Sequence, residues 1–102
     1  MPKTERPTVA PVHPGEMLKE DFLEPLGVSQ HRLAHAIGAP RRINEIVHGT
    51  RPVSADTALR FSRYFGMSDG FWMNLQAHYD IEVEKDRLEA TLAEIEPLAA
   101  AR

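Results

Sequence analysis

At 102 residues, with 42% apolar side chains and no cysteine, the chain has material for one small core and none for disulfides or thiolate metal sites. No apolar stretch approaches the roughly 20 residues of a membrane span, and the start, MPKTERPTVAPVHPG, lacks the apolar centre of a signal peptide. The net charge of −3 is unevenly spread: Ser29 to Arg63 carries six arginines against Glu45 and Asp56, a net +4, whereas Asp80 to Glu96 carries seven acids against Lys85 and Arg87, a net −5. A basic middle suits phosphate and an acidic end suits a basic protein, which implies two separate surfaces.

Residues 1–12, with Pro2, Pro7 and Pro11 among charged neighbours, read as a flexible N-terminal arm. A first helix is predicted from about Pro14 to Leu23. Pro14 opens it, Glu16 suits the positive end of its dipole, and Met17, Leu18 and Phe22 form its apolar face. Pro25 and Gly27 are expected to end it. Ser29 is a natural N-cap for a second helix over Gln30 to Ile37, whose buried face is Leu33, Ala34 and Ile37. Gly38 stands where a left-handed cap is wanted.

A third helix is predicted from Pro40 to about His48, with Ile43, Ile46 and Val47 as its stripe. Gly49 to Pro52 form a turn. Ser54 caps a fourth helix with Ala58, Phe61, Ser62 and Phe65 on one face, and Gly66 ends it. Ser68 caps a fifth, whose bulky side is Phe71, Trp72, Leu75 and Tyr79. The tail from Ile81 to Ala101 is rich in helix formers, and Leu88, Leu92 and Ile95 recur at helical spacing. No strand pattern survives. The expectation is an all-α chain: the arm, a helical domain over 13–79, and an acidic C-terminal helix over 80–102.

The run Ser29 to Ser54 has the parts of a helix-turn-helix: two short helices, a glycine turn, and buried aliphatics on each. The second of these helices keeps Arg41, Arg42, Asn44, Glu45 and His48 outside. These are side chains suited to base edges and phosphates. The segment from Ser29 to Leu59 resembles the five-helix domain of Cro/repressor-like DNA-binding proteins. A closer resemblance, over roughly residues 13–90, is to the HigA/VapI family of antitoxins. It is carried by His13-Pro14-Gly15, by Arg42-Ile43-Asn44-Glu45-Ile46 and by Phe71-Trp72-Met73-Asn74-Leu75-Gln76. One departure is that Gly38 and Ile43 enclose four residues where the family pattern has five, which predicts either a tighter turn or an earlier end to the second helix, and in both cases a rotated start to the third.

The resemblance implies a homodimeric autorepressor on a palindromic operator that also neutralises a small, basic RelE/HigB-like mRNA endonuclease in a bacterial cytoplasm. In that setting the third helix enters the major groove. Arg41 and Arg42 suit guanine or phosphate, and Asn44 suits adenine. Glu45 either accepts from cytosine or holds Arg41 or Arg42. His48 suits the backbone or a water contact. Ser29 and Gln30 begin the second helix, Gln30 placed like the family's phosphate-contacting glutamine, and Arg51 follows the third helix toward phosphate.

The dimer surface is expected on Phe71, Trp72, Leu75 and Tyr79, with Trp72 alternatively a plain core residue. His31 and His35 lie at i, i+4 without a third ligand, so no metal is expected there. His13 and His78 read as surface residues. No cofactor and no catalytic pair is indicated. Two other readings stay open: a stand-alone helix-turn-helix regulator with no toxin partner, and a protein-interaction module that no longer binds DNA.

Overall fold

The computed structural model describes residues 11–101, with side chains through Ala99. Of the predicted arm, all but Pro11 and Val12 lie outside the described residues. All regular structure among the described residues is helical.

Helix α1 has three consecutive stretches: an α-helical start (Pro14–Met17), a π-helical middle (Leu18–Leu23) and a last α turn (Glu24–Leu26). The helix thus runs through Pro25, which was expected to end it. Pro25 has no N–H to give, and in a regular α turn its ring would meet the Asp21 carbonyl. The π stretch widens the ladder just ahead of it, the Glu24 N–H reaching back five residues to the Lys19 carbonyl. Gly27, in the left-handed region at φ 67°, ends the helix.

Helix α2 (Gln30–Ile37) matches its predicted bounds, with Ser29 Oγ accepting from the Arg32 N–H at 3.0 Å. Gly38 takes φ 70°, and the Ala39 N–H closes the turn on the Ala34 carbonyl at 3.0 Å. Only glycine adopts that backbone freely, which is why the turn falls here. Ala39 is then buried in the core. That anchorage delays the next helix. Helix α3 (Arg42–Val47) begins two residues after Pro40, and both Pro40 and Arg41 belong to the turn.

Helix α4 (Ala55–Phe65) is capped by the Ser54 hydroxyl and ended by Gly66, as predicted. Helix α5 (Phe71–Arg87) starts without a side-chain cap. Ser68 serves instead through its carbonyl, which accepts from the Phe71 N–H at 3.2 Å and from Ser62 Oγ at 2.8 Å. Two short helices follow, α6 (Glu89–Ala93) and α7 (Leu98–Ala101). The boundary expected at 79/80 falls inside α5, so the acidic segment begins as a continuation of a core helix.

The core joins Leu18 and Leu23 of α1, Leu33 and Ile37 of α2, Ile43 and Ile46 of α3, Val53, Ala58 and Phe61 around α4, and Trp72 of α5. Beyond Tyr79 no described side chain is buried, and Ile81, Leu92, Ile95 and Leu98 are exposed.

Candidate nucleic-acid interface

Ile43 and Ile46 are almost wholly enclosed, at 1% and 0% exposure, and they pin the inner face of α3. Helical spacing then turns Asn44 outward, with Arg41 just ahead of the helix and His48 just after it, and all three are exposed. Glu45 stands beside them, half-buried. On one flank, Gln30, His31 and His35 of α2 form a shallow cleft with Pro40 and Asn44. On the other, Arg41, Arg42 and Arg51 surround the turn residues Gly38 to Pro40. The structure therefore brings Gln30, Arg41, Asn44, His48 and Arg51 around one short helix. Ser29 remains committed to capping α2.

Several of these side chains already have partners. Glu45 Oε1 accepts from Arg51 Nε at 2.5 Å, so its cation is Arg51 and neither Arg41 nor Arg42. His48 Nδ1 lies 2.8 Å from the Asn44 carbonyl, which fits the tautomer with a proton on Nδ1. Arg42 is turned away from the helix it begins. Its Nη1 donates to Asp56 Oδ1 at 2.6 Å and to Thr57 Oγ1 at 3.0 Å. The Arg42 guanidinium first, and Arg60 after it, hold the Asp56 carboxyl below the usual carboxylate range.

The dimer candidates divide. Trp72 is 0% exposed within a single protomer, so it is a core residue with no surface to give a partner. Phe71, Leu75 and Tyr79 are half-buried.

Three residues outside the predicted set hold this surface in place. Gly15 lies directly against the end of α3: a Cβ there would sit 1.7 Å from the Ile46 carbonyl oxygen. Gln76 is buried in α5. Its Oε1 accepts from the Val53 N–H at 2.7 Å and its Nε2 donates to Asp80 Oδ1 at 2.9 Å, which ties the chain leaving α3 to α5. His13, read as a surface residue, is instead the N-cap of α1. Its Nδ1 accepts from the Gly15 N–H at 2.9 Å, and its ring meets Tyr79 edge-on at 4.9 Å. The clue in the sequence was its place before Pro14, the N-cap position of a helix opened by proline.

Burial lowers the pKa of His13, against opposing pulls from Asp80 and Glu16. A depressed pKa means the folded state binds this proton less readily than the unfolded chain. Its stabilising contribution is complete above the ordinary value of 6.5 and is lost as pH falls through the lower folded value. The melting temperature should therefore fall between pH 7.5 and pH 5. His13→Asn, a cap that does not titrate, should flatten part of that slope. Parallel melting curves for the two proteins over this range would show that His13 has no such role.

Two helices joined through a left-handed glycine, the second pinned by buried isoleucines and presenting polar side chains outward, define a helix-turn-helix domain. The Helix-turn-helix family model matches residues 19–72. Virulence-associated protein I of Dichelobacter nodosus is 48% identical over 87 residues, covering 83% of this chain and 78% of that one. Antitoxin HigA-1 of Vibrio cholerae is 33% identical over 99 residues, covering 96% and 90%. The solved structure of Pseudomonas aeruginosa antitoxin HigA with the higBA promoter superposes with a TM-score of 0.82 at 41% identity, covering 86% of this chain and 98% of that one. The chain belongs to the helix-turn-helix family, in its HigA antitoxin branch.

Proposed function

We propose that this protein is the antitoxin of a type II toxin–antitoxin module: a dimeric, sequence-specific repressor of its own operon that neutralises a small, basic RelE/HigB-like mRNA endonuclease. The observation that carries the DNA half is the outward stripe of Arg41, Asn44 and His48 above the buried Ile43 and Ile46. The solved complex of the Pseudomonas aeruginosa relative with a promoter supports the same reading. Two such helices, one helical turn of DNA apart, would read a palindrome. Gln30 and Arg51, flanking the stripe, suit phosphate. Phe71, Leu75 and Tyr79 offer the partly open apolar side of α5 to a second copy. The acidic end of α5 and α6 suits a basic toxin.

The role fits a bacterial cytoplasm. No helix among the described residues is long and apolar enough to cross a membrane. The family is one of DNA-binding regulators, and no enzymatic step is proposed.

Arg41→Ala combined with Asn44→Ala is expected to weaken binding to the chain's own upstream DNA about 100-fold or more, since each bidentate base contact contributes about 1–3 kcal/mol. Fluorescence anisotropy with that duplex reads the effect, and melting should be unchanged because both side chains are exposed. Affinity within twofold of the parent would remove α3 as the reading helix. Co-purification with a tagged product of the neighbouring reading frame tests the other half. No complex would leave a stand-alone regulator, and no salt-dependent DNA affinity would leave an interaction module.

A further inference from the structure

The three helices of the reading head are joined by one continuous chain of polar contacts. It begins at the Ile37 carbonyl, one of the orphan acceptors at the C-terminal end of α2. Arg60 Nη1 donates to that oxygen at 2.7 Å, a contact favoured by the negative end of the helix dipole. The same guanidinium donates through Nε to Asp56 Oδ1 at 2.6 Å. Asp56 Oδ1 also accepts from Arg42 Nη1, at the first turn of α3, and Arg42 reaches the enclosed Thr57 hydroxyl as well. The end of α2, the start of α4 and the start of α3 thus share one carboxylate and two guanidinium groups.

We infer that Arg42, Asp56 and Arg60 form a strut that sets the angle of α3 against α2, so that Arg42 is a positioning residue for DNA recognition and not a contact to the DNA. The inference rests on the DNA-binding reading of α3. The site of the strut follows from the local structure. α3 has no side-chain cap hydrogen bond at its start, since Arg41 stands in the N-cap position. Its hydrophobic anchors, Ile43 and Ile46, fix its depth in the core, and the Arg42–Asp56 contact adds a directional polar tie from its first residue to α4. The side chains of Arg42, Asp56 and Arg60 are 31%, 54% and 40% exposed, and ion pairs at such exposure contribute little to stability. The arrangement therefore acts on orientation more than on folding. The charge state of Asp56 agrees, both arginines favouring its ionised form.

The test compares Asp56→Ala, Arg60→Lys and Arg42→Ala with the parent chain. Each is measured against a duplex of the chain's own upstream DNA and a scrambled duplex, over a salt series, with melting curves alongside. Lysine at 60 keeps the charge, but its donors all lie on one nitrogen on a shorter side chain, in place of the planar fork whose Nε and Nη1 span Asp56 and the Ile37 carbonyl. The strut predicts that all three variants lose about tenfold or more in the ratio of specific to scrambled affinity, the scale of one lost base contact. Their melting temperatures should stay near the parent's. The salt slope of Arg42→Ala should be unchanged, since no phosphate contact is removed.

A salt slope shallower by about 1 for Arg42→Ala would make Arg42 a phosphate contact and overturn the strut. So would an unchanged affinity ratio in Asp56→Ala, or tighter binding to both duplexes without loss of the ratio. If the parent chain itself fails to prefer its upstream DNA over the scrambled duplex, the DNA-binding reading fails and the strut's function fails with it.

Discussion

Replacing Trp72 with alanine is expected to lower stability by about 4 kcal/mol, the scale of deleting an enclosed large aromatic. Trp72 is wholly buried, and four phenylalanines surround it. The ring centroids of Phe22, Phe61 and Phe71 lie 5.0, 5.1 and 5.3 Å from it, in tilted or edge-on geometry. These side chains come from α1, α4 and α5, so the cavity would open where three helices meet. A domain of this size has about 5–15 kcal/mol of net stability, and the melting temperature should fall by at least about 15 °C.

Trp72→Phe separates the ring from its polar atom. Trp72 Nε1 finds no hydrogen-bond partner among the described residues, and an orphaned buried donor costs about 1–3 kcal/mol. Phenylalanine keeps one ring and removes that penalty, so its net loss should be much smaller than alanine's. Circular dichroism melts of the two variants decide the matter. If Trp72→Ala kept the parent's melting temperature and lost only dimerisation, the ring would belong to an interface and not to the core.

Gly15→Ala is expected to destabilise by about 3 kcal/mol, although alanine is the better helix former. Two effects compete at this position. Within an isolated helix the change would gain about 0.8–1 kcal/mol. The new Cβ, however, would lie 1.7 Å from the Ile46 carbonyl oxygen and 2.5 Å from its carbon. Backbone on both sides leaves no flexible side chain to yield, so α1 must move off α3, a displacement on the scale of severe overpacking. Because α3 is the proposed reading helix, operator affinity should fall along with the melting temperature. A melting temperature equal to or above the parent's would mean that the two helices are not in close register.

Much of the architecture was legible locally. The bounds of α2, the serine caps of α2 and α4, the glycine ends at Gly38 and Gly66, and the buried faces of α2 to α4 follow from capping chemistry and helical spacing. Those signals reside in residues three or four apart, where a short helix interacts with itself. The misread ends were both at prolines, where the backbone departed from the simple rule for that residue. Pro25 stays inside α1 because a π stretch accommodates it. Pro40 stays outside α3 because Ala39 is held in the core.

The candidate site divides in the same way. The amino-acid order alone marks Arg41, Arg42, Asn44, Glu45 and His48 as the outward side of one helix, since Ile43 and Ile46 must be turned inward; the structure leaves Arg41, Asn44 and His48 exposed and gives Arg42 and Glu45 partners. The order also marks an all-helical reading head and a charge reversal along the chain. It does not reveal that Arg42 pairs with Asp56 fourteen residues on, that Arg51 rather than a first-turn arginine takes Glu45, or that Arg60 closes the end of α2. Nor does it choose between core and interface for Trp72, or explain Gly15. The Glu45–Arg51 pair depends on how the turn after α3 folds back, and each of the others on how closely two helices approach and at what angle. That geometry is set by the packing of side chains far apart in sequence, to which helical periodicity within one segment is blind.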